Sequence, residues 1–159
     1  VENLNSTDIL IINFEEIRRR SILVWDSIPE ELYNWKPDEN ALSCLEMVRH
    51  VLESEYYYHL AVINRGSITN FISPFESRKL ISVQEELKFA QEYRNNFIKM
   101  IQSLSEDDLK NIQIDRSGVG YIRILGDMLL RIAYHESVHT GQMLDYLRTA
   151  GVHRPNIWD

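Results

Sequence analysis

The chain has 159 residues, 44% of them apolar and 26% charged, the profile of a single soluble domain able to bury a sizeable core. A formal charge of −7 argues against a nucleic-acid binder, which needs a basic face, and no apolar run approaches the roughly 18 residues of a membrane span. The single cysteine, Cys44, rules out an internal disulfide framework; with no leader pattern visible, cytoplasm is the expected compartment.

Gly and Pro are few and sit mostly at boundaries, as in a helical protein. A first helix is expected from about Thr7 to Ser27, with Leu10, Phe14, Ile17, Val24 and Trp25 as its apolar stripe. The run Arg18-Arg19-Arg20 reads as a solvated face of this helix. Pro29, Glu30 and Glu31 open a short helical turn carrying Leu32, Tyr33 and Trp35, which stops at Pro37. Ser43-Cys44-Leu45-Glu46 has capping-box spacing and starts a second helix, running to about Asn64 with Gly66 closing it. Arg65 to Ile81 is a long connection containing Pro74. A second box, Ser82-Val83-Gln84-Glu85, opens a third helix that runs to about Leu104. Ser105 caps a short turn ending near Asn111, and Ile112 to Gly120 is a loop with some extended character. The last helix is expected from about Tyr121 to Ala150, stopped by Gly151, with an irregular tail. Four long amphipathic helices and no convincing strand predict an all-α four-helix bundle in one domain spanning residues 1–159. The long connection between the second and third helices leaves room for a crossover.

The chemistry concentrates at His135-Glu136-Ser137-Val138-His139. On a helix, positions i and i+4 lie about 40° apart around the axis and roughly 6 Å apart along it, so both imidazoles can reach one ion. His135 and His139 share the stripe of Met128, Ile132 and Tyr146, which faces the core. Two buried imidazoles need partners for their nitrogens, and one metal would serve both. The alternative is two unrelated histidines bonded to carboxylates or backbone. Of the other histidines, His50 shares a line with Ser43, Ser54, Tyr57 and Ala61, small or hydrogen-bonding neighbours that leave room for a ligand. His59 points the opposite way, beside Val48 and Leu52, and reads as structural or surface; His153 lies in the tail. The residues thus lean towards His50 as third ligand without deciding it. A zinc protease shares the five-residue spelling, but it takes its third ligand from downstream. The twenty residues after His139 hold no glutamate, Gly141 and Gln142 do not continue the extended protease pattern, and no substrate-binding edge strand is apparent.

Four segments in order resemble the DinB-like family of metal-binding four-helix bundles. They are Leu32 to Pro37 (a Trp-x-Pro turn), Ser43 to His50, His135 to Gln142 (His-x-x-x-His-x-Gly-Gln) and Tyr146 to Gly151. The resemblance spans nearly the whole chain. It implies His50, His135 and His139 as ligands, zinc or nickel as the ion, an exchangeable fourth position and a homodimer. Related members use low-molecular-weight thiols such as bacillithiol or mycothiol, as transferases or isomerases; others are regarded as metal-dependent hydrolases.

The expectation is therefore a metal-dependent protein acting on a small molecule, by thiol-dependent S-transfer or by hydrolysis. A three-imidazole site can acidify water or a thiol. Glu136 is a candidate base or partner of the site, and a structural ion pair explains it equally. Gln142, one turn beyond His139, is a candidate to bond a ligand or site water. Glu46 could orient His50, although capping accounts for it as well, and Tyr57 could line the pocket. The alternative function is a non-catalytic, stress-associated binding or dimerisation module with a structural metal, in which Ile12 and Leu23 form the partner surface.

Overall fold

The structure, a computed structural model, describes residues 3–159. Four long helices build it: α1 (Ser6–Asp26), α2 (Cys44–Ile63), α3 (Val83–Gln102) and α5 (Leu125–Thr149). A short α4 (Glu106–Asn111) and a hairpin of β1 (Gln113–Arg116) and β2 (Tyr121–Ile124) complete it. The first-turn amides of a helix need acceptors, and side chains supply them at four starts. Asn5 with Asp8, Ser43 with Glu46, and Ser105 with Asp108 form reciprocal boxes. At α3 only half of the predicted box forms: Ser82 Oγ accepts from the Glu85 amide at 3.1 Å, with no bond returned.

The helix predicted from Tyr121 begins at Leu125. Tyr121–Ile124 instead runs antiparallel to Gln113–Arg116, Tyr121 facing Arg116 and Ile124 facing Gln113. Gly120 is the reason: at φ +95° it takes the left-handed conformation that turns the chain back, which glycine adopts without a steric cost. The Tyr-Ile-Arg-Ile that follows has the aromatic and β-branched character of a strand. The Leu125 amide then donates to Ile112 O at 2.8 Å, so the hairpin's hydrogen bonding runs into the helix start.

Helix α1 packs on α3 and α5, and α2 packs on the same two. Cross-links give their directions. Arg18 meets Glu136 and Ser21 meets Thr140, so α1 and α5 are parallel. Arg49 meets Glu86 and Glu55 meets Arg94, so α2 and α3 are parallel too. No tight turn can join a parallel pair, and the connection after α2 must carry the chain back along the bundle. Arg49 fastens this crossover, donating to Arg78 O at 2.7 Å and Lys79 O at 3.1 Å while pairing with the fully buried Glu86.

The apolar core has two halves. One contains Trp25, Val48, Phe75 and Leu147, the other Phe14, Phe97, Ile114 and Leu129. A belt of buried polar side chains separates them: Arg18, Ser21, Glu55, Arg94, Glu136 and Thr140. Arg18 therefore departs from the solvated-face reading. Arg19 faces solvent and Arg20 is half-buried, but Arg18 lies one turn beyond Phe14 on the apolar stripe and enters the core.

Candidate metal centre

At the level of the polar belt, α2 and α5 run antiparallel and bring His50 against His135 and His139. All three rings are half-buried. The Nε2 of His135 lies 3.2 Å from the Nε2 of His50 and 3.2 Å from that of His139, and the three ligand nitrogens all fall within 4.8 Å of one another. Gln142 Oε1 sits 2.7 Å from His139 Nδ1. A carbonyl oxygen only accepts, so Nδ1 carries the proton and Nε2 turns a lone pair towards the other two rings.

That lone pair decides how the cluster can be satisfied. His135 Nε2 can donate to His139 or accept from His50, but one neutral ring nitrogen does not do both. Three converging nitrogens thus cannot satisfy each other by hydrogen bonds alone, whereas one cation takes all three lone pairs. Tetrahedral bonds of about 2.0–2.1 Å would space imidazole nitrogens about 3.3 Å apart, close to the distances in both pairs. Burial lowers the pKa of His50, with charge on His139 adding to it. Burial, then His139 and His50, push His135 down to about 4. Both rings are held neutral, the form that binds metal.

Glu136 faces elsewhere. Its two oxygens take Arg18 Nε at 2.8 Å and Nη2 at 3.0 Å across the α1–α5 interface. Burial alone would raise its carboxyl pKa; the Arg18 guanidinium outweighs that and holds it below the usual carboxylate value. Burial likewise opposes the charge on Arg18, yet Glu55 and Glu136 keep its pKa above the ordinary arginine value. Glu55 also pairs with Arg94, whose Nη2 donates to Phe14 O at 2.9 Å. None of the carboxylate's hydrogen bonds goes to the three imidazoles.

The remaining candidates fall outside the cluster. Glu46 spends its carboxylate on the Ser43 amide at 2.7 Å. His59 is buried edge-on against Phe97, with ring centroids 5.6 Å apart, and His153 is exposed in the tail. Tyr57 packs on Phe71 of the crossover at 5.1 Å. Two neighbours were not foreseen from sequence. Tyr58 stands edge-on to His135 at 5.9 Å, and Arg116 reaches in from the hairpin towards Tyr57 and Tyr58. Helical numbering from His50 could have flagged Tyr58; nothing local pointed to Arg116.

A family model described as the DinB superfamily matches residues 13–143. The chain belongs to this superfamily. The uncharacterised protein YjoA of Bacillus subtilis is 28% identical over 127 residues, 79% of each chain. Its solved structure, described as DinB-like, matches with a TM-score of 0.70 at 21% identity, covering 94% of this chain and 96% of that one. YfiT from Bacillus subtilis, described as a probable metal-dependent hydrolase with an unusual four-helix-bundle topology, matches at 0.76 with 13% identity, covering 96% and 93%. A DinB-like protein from Bacillus cereus matches at 0.65 with 16% identity, covering 90% and 91%. These structures establish the shared fold, including the bundle.

Proposed function

We propose that this chain is a metal-dependent enzyme in which His50, His135 and His139 hold a divalent ion. The observation that carries the reading is the convergence of three imidazole nitrogens whose tautomers cannot satisfy one another. An all-imidazole donor set suits zinc, nickel, iron and copper alike, and the family resemblance favours zinc or nickel among them. Such an ion would supply Lewis acidity, drawing the pKa of a bound water down towards about 7 and deprotonating a bound thiol outright. The chain's own groups prepare for it: burial keeps His50 and His135 unprotonated, and Gln142 fixes the tautomer and direction of His139. Glu136 serves in this reading as the tie between α5 and α1 beneath the ligands, because Arg18 occupies both of its oxygens.

The reaction is either transfer of a low-molecular-weight thiol such as bacillithiol or mycothiol to an electrophile, or hydrolysis of a small substrate. The description of the structural neighbour YfiT supports hydrolysis; the matched motifs support thiol use. A homodimer belongs to the same proposal. Leu130, Tyr134 and Val138 recur every fourth residue on the exposed side of α5, as a helix-packing face would require.

The test is a preparation never exposed to chelator, with metal quantified per chain and turnover measured with each thiol and with activated esters. About one equivalent of metal and metal-dependent turnover are expected. Unchanged metal content in His139→Ala would overturn the ligand assignment, and sedimentation velocity checks the dimer.

A further inference from the structure

We propose that Arg116, framed by Tyr57, Tyr58 and Tyr121, is the recognition site for an oxyanion. The substrate of this centre then carries a carboxylate or phosphate several bonds away from the atom that reacts at the histidines. The position of the reacting end rests on the metal-site reading above; the anion site does not.

Arg116 ends β1, and its guanidinium carbon lies 5.3 Å from the ring centroid of Tyr57, 5.4 Å from Tyr58 and 5.3 Å from Tyr121. Its Nη1 donates to Tyr121 Oη at 2.7 Å, its Nη2 to Tyr57 Oη at 3.5 Å and its Nε to Ser67 Oγ at 3.3 Å. Among the described residues no carboxylate pairs with it. Arg18, Arg49, Arg94 and Arg123 each meet one, in a chain carrying 24 acidic residues. Arg116 is half-buried without a counter-charge, as a side chain reserved for an incoming anion would be.

The hydroxyls point the same way. A phenol that accepts from a guanidinium still has its own proton to give. Among the described residues the hydroxyls of Tyr57, Tyr58 and Tyr121 donate to no protein acceptor. The cluster therefore offers the spare N–H groups of Arg116 and, beside them, the phenolic O–H groups of Tyr57 and Tyr121, all donors. Arg123 also lies over the Tyr121 ring at 4.9 Å, but its charge is countered by Asp127, which leaves Arg116 as the unpaired cation beside these rings.

The cluster adjoins the histidines. Tyr58 neighbours both, its ring centroid 5.9 Å from that of His135 and 5.4 Å from the Arg116 guanidinium carbon. Tyr57 lies on the same face of α2 as His50, two turns on. One ligand lying along α2 would place its anion at Arg116 and its reacting group at the imidazoles. A mere clamp between the hairpin and α2 would need Arg116 for stability but would show no preference for anions.

The experiment has two arms. In the first, chelator-treated protein is titrated with glutarate and with inorganic phosphate while the arginine Nε and tyrosine ring signals are followed by NMR. Saturable shifts at Arg116, Tyr57 and Tyr121 are expected, with affinity at least about ten-fold weaker in Arg116→Gln, the loss of a charge-assisted contact. The stronger of the two anions identifies the substrate's group. Tyr121→Phe, which keeps the ring and removes one donor, should weaken binding about three-fold, and it keeps the test decisive if Arg116→Gln does not fold. Absence of shifts with either anion, or equal affinity in the folded variants, overturns the proposal.

In the second arm, cobalt-loaded protein is titrated with ω-mercaptocarboxylates of increasing length and with the matching mercaptoalcohols. The carboxylate series should bind about ten-fold tighter at one chain length, and Arg116→Gln should abolish that preference without altering the cobalt spectrum. Equal binding of acids and alcohols at every length overturns the two-ended arrangement. Failure to bind cobalt, with the first arm positive, instead overturns the metal reading and leaves the anion site standing.

Discussion

Replacing Glu136 by Gln separates its two possible roles. The wild-type carboxylate receives Arg18 Nε at 2.8 Å and Nη2 at 3.0 Å, and both side chains are less than a tenth exposed. Glutamine keeps the shape, but its amide oxygen can accept only one of the two bonds, and its NH2 group then faces an N–H donor. The charge is lost as well, leaving Glu55 as the belt's only carboxylate facing the two buried guanidinium groups of Arg18 and Arg94. Breaking a buried pair from one side costs about 3–5 kcal/mol; because Arg18 retains Glu55, the lower end, about 3 kcal/mol, is expected. With a urea slope of about 1–3 kcal/mol per molar, the midpoint should fall by roughly 1–3 M. Urea unfolding followed by circular dichroism, with metal content measured on the folded protein, is the assay. On the proposed ligand set the folded variant should bind metal as the wild type does, since the three imidazoles are untouched. Replacing both Arg18 and Glu136 by Met should recover part of the loss, as an apolar pair removes both charges together. An unchanged midpoint with turnover reduced a hundred-fold or more would refute this reasoning and make Glu136 the base of the reaction.

Three further outcomes follow from single contacts. Gln142→Ala removes the acceptor on His139 Nδ1 and should weaken metal binding about 10–100-fold by competition with a chelating dye, while stability moves by less than about 0.5 kcal/mol because the residue is exposed. Gly66→Ala would set a Cβ 2.8 Å from Asp115 O, a backbone atom that cannot swing aside, so a loss of about 1–3 kcal/mol is expected in thermal unfolding. Burial pushes the Cys44 thiol up to about 11, so at pH 8 it stays protonated; the native protein should be inert to a chromogenic disulfide that labels it rapidly in urea. Equal rates in both conditions would contradict that environment.

The features legible in the sequence are those written locally. Serine three residues ahead of a carboxylate marked the starts of α2 and α4, and the i, i+4 spacing placed His135 and His139 on one stripe. The hairpin was missed because two four-residue strands are too short for a period-two pattern to stand out beside a helix. The crossover's length was readable, but the parallel pairing of α2 and α3 was not, because it shows only in contacts between distant segments such as Arg49–Glu86 and Glu55–Arg94. The polar belt was hidden for the same reason. Arg18 looks solvated beside Arg19 and Arg20, and its burial becomes affordable only when Glu55 and Glu136 arrive from two other helices. Arg116 likewise gains its meaning from Tyr57, Tyr58 and Tyr121, which come from separate segments.

The same five letters that open the zinc-protease motif are put to a different use here, and helical geometry explains how. A residue directly after a ligand points about 100° away from it around the helix. It serves the site only where that flank is open to substrate. In this bundle the flank of α5 next to His135 is covered by α1, which runs parallel and presents Arg18 at the level of Glu136. The carboxylate is therefore drawn into the core, while the histidines meet α2, whose Tyr58 neighbours both His135 and Arg116. Which helix covers which flank, more than the motif itself, determines whether the glutamate is a base or a brace. Moving the charge to test this is straightforward: Arg18→Met alone should strip Glu136 of its paired guanidinium, leaving only Ser21 and the more distant charge of Arg94, raise its pKa and destabilise the fold by about 3–5 kcal/mol. Its carbonyl infrared band should then report a protonated acid at neutral pH; an ionised carboxylate in that variant would show that the flank is open to water after all.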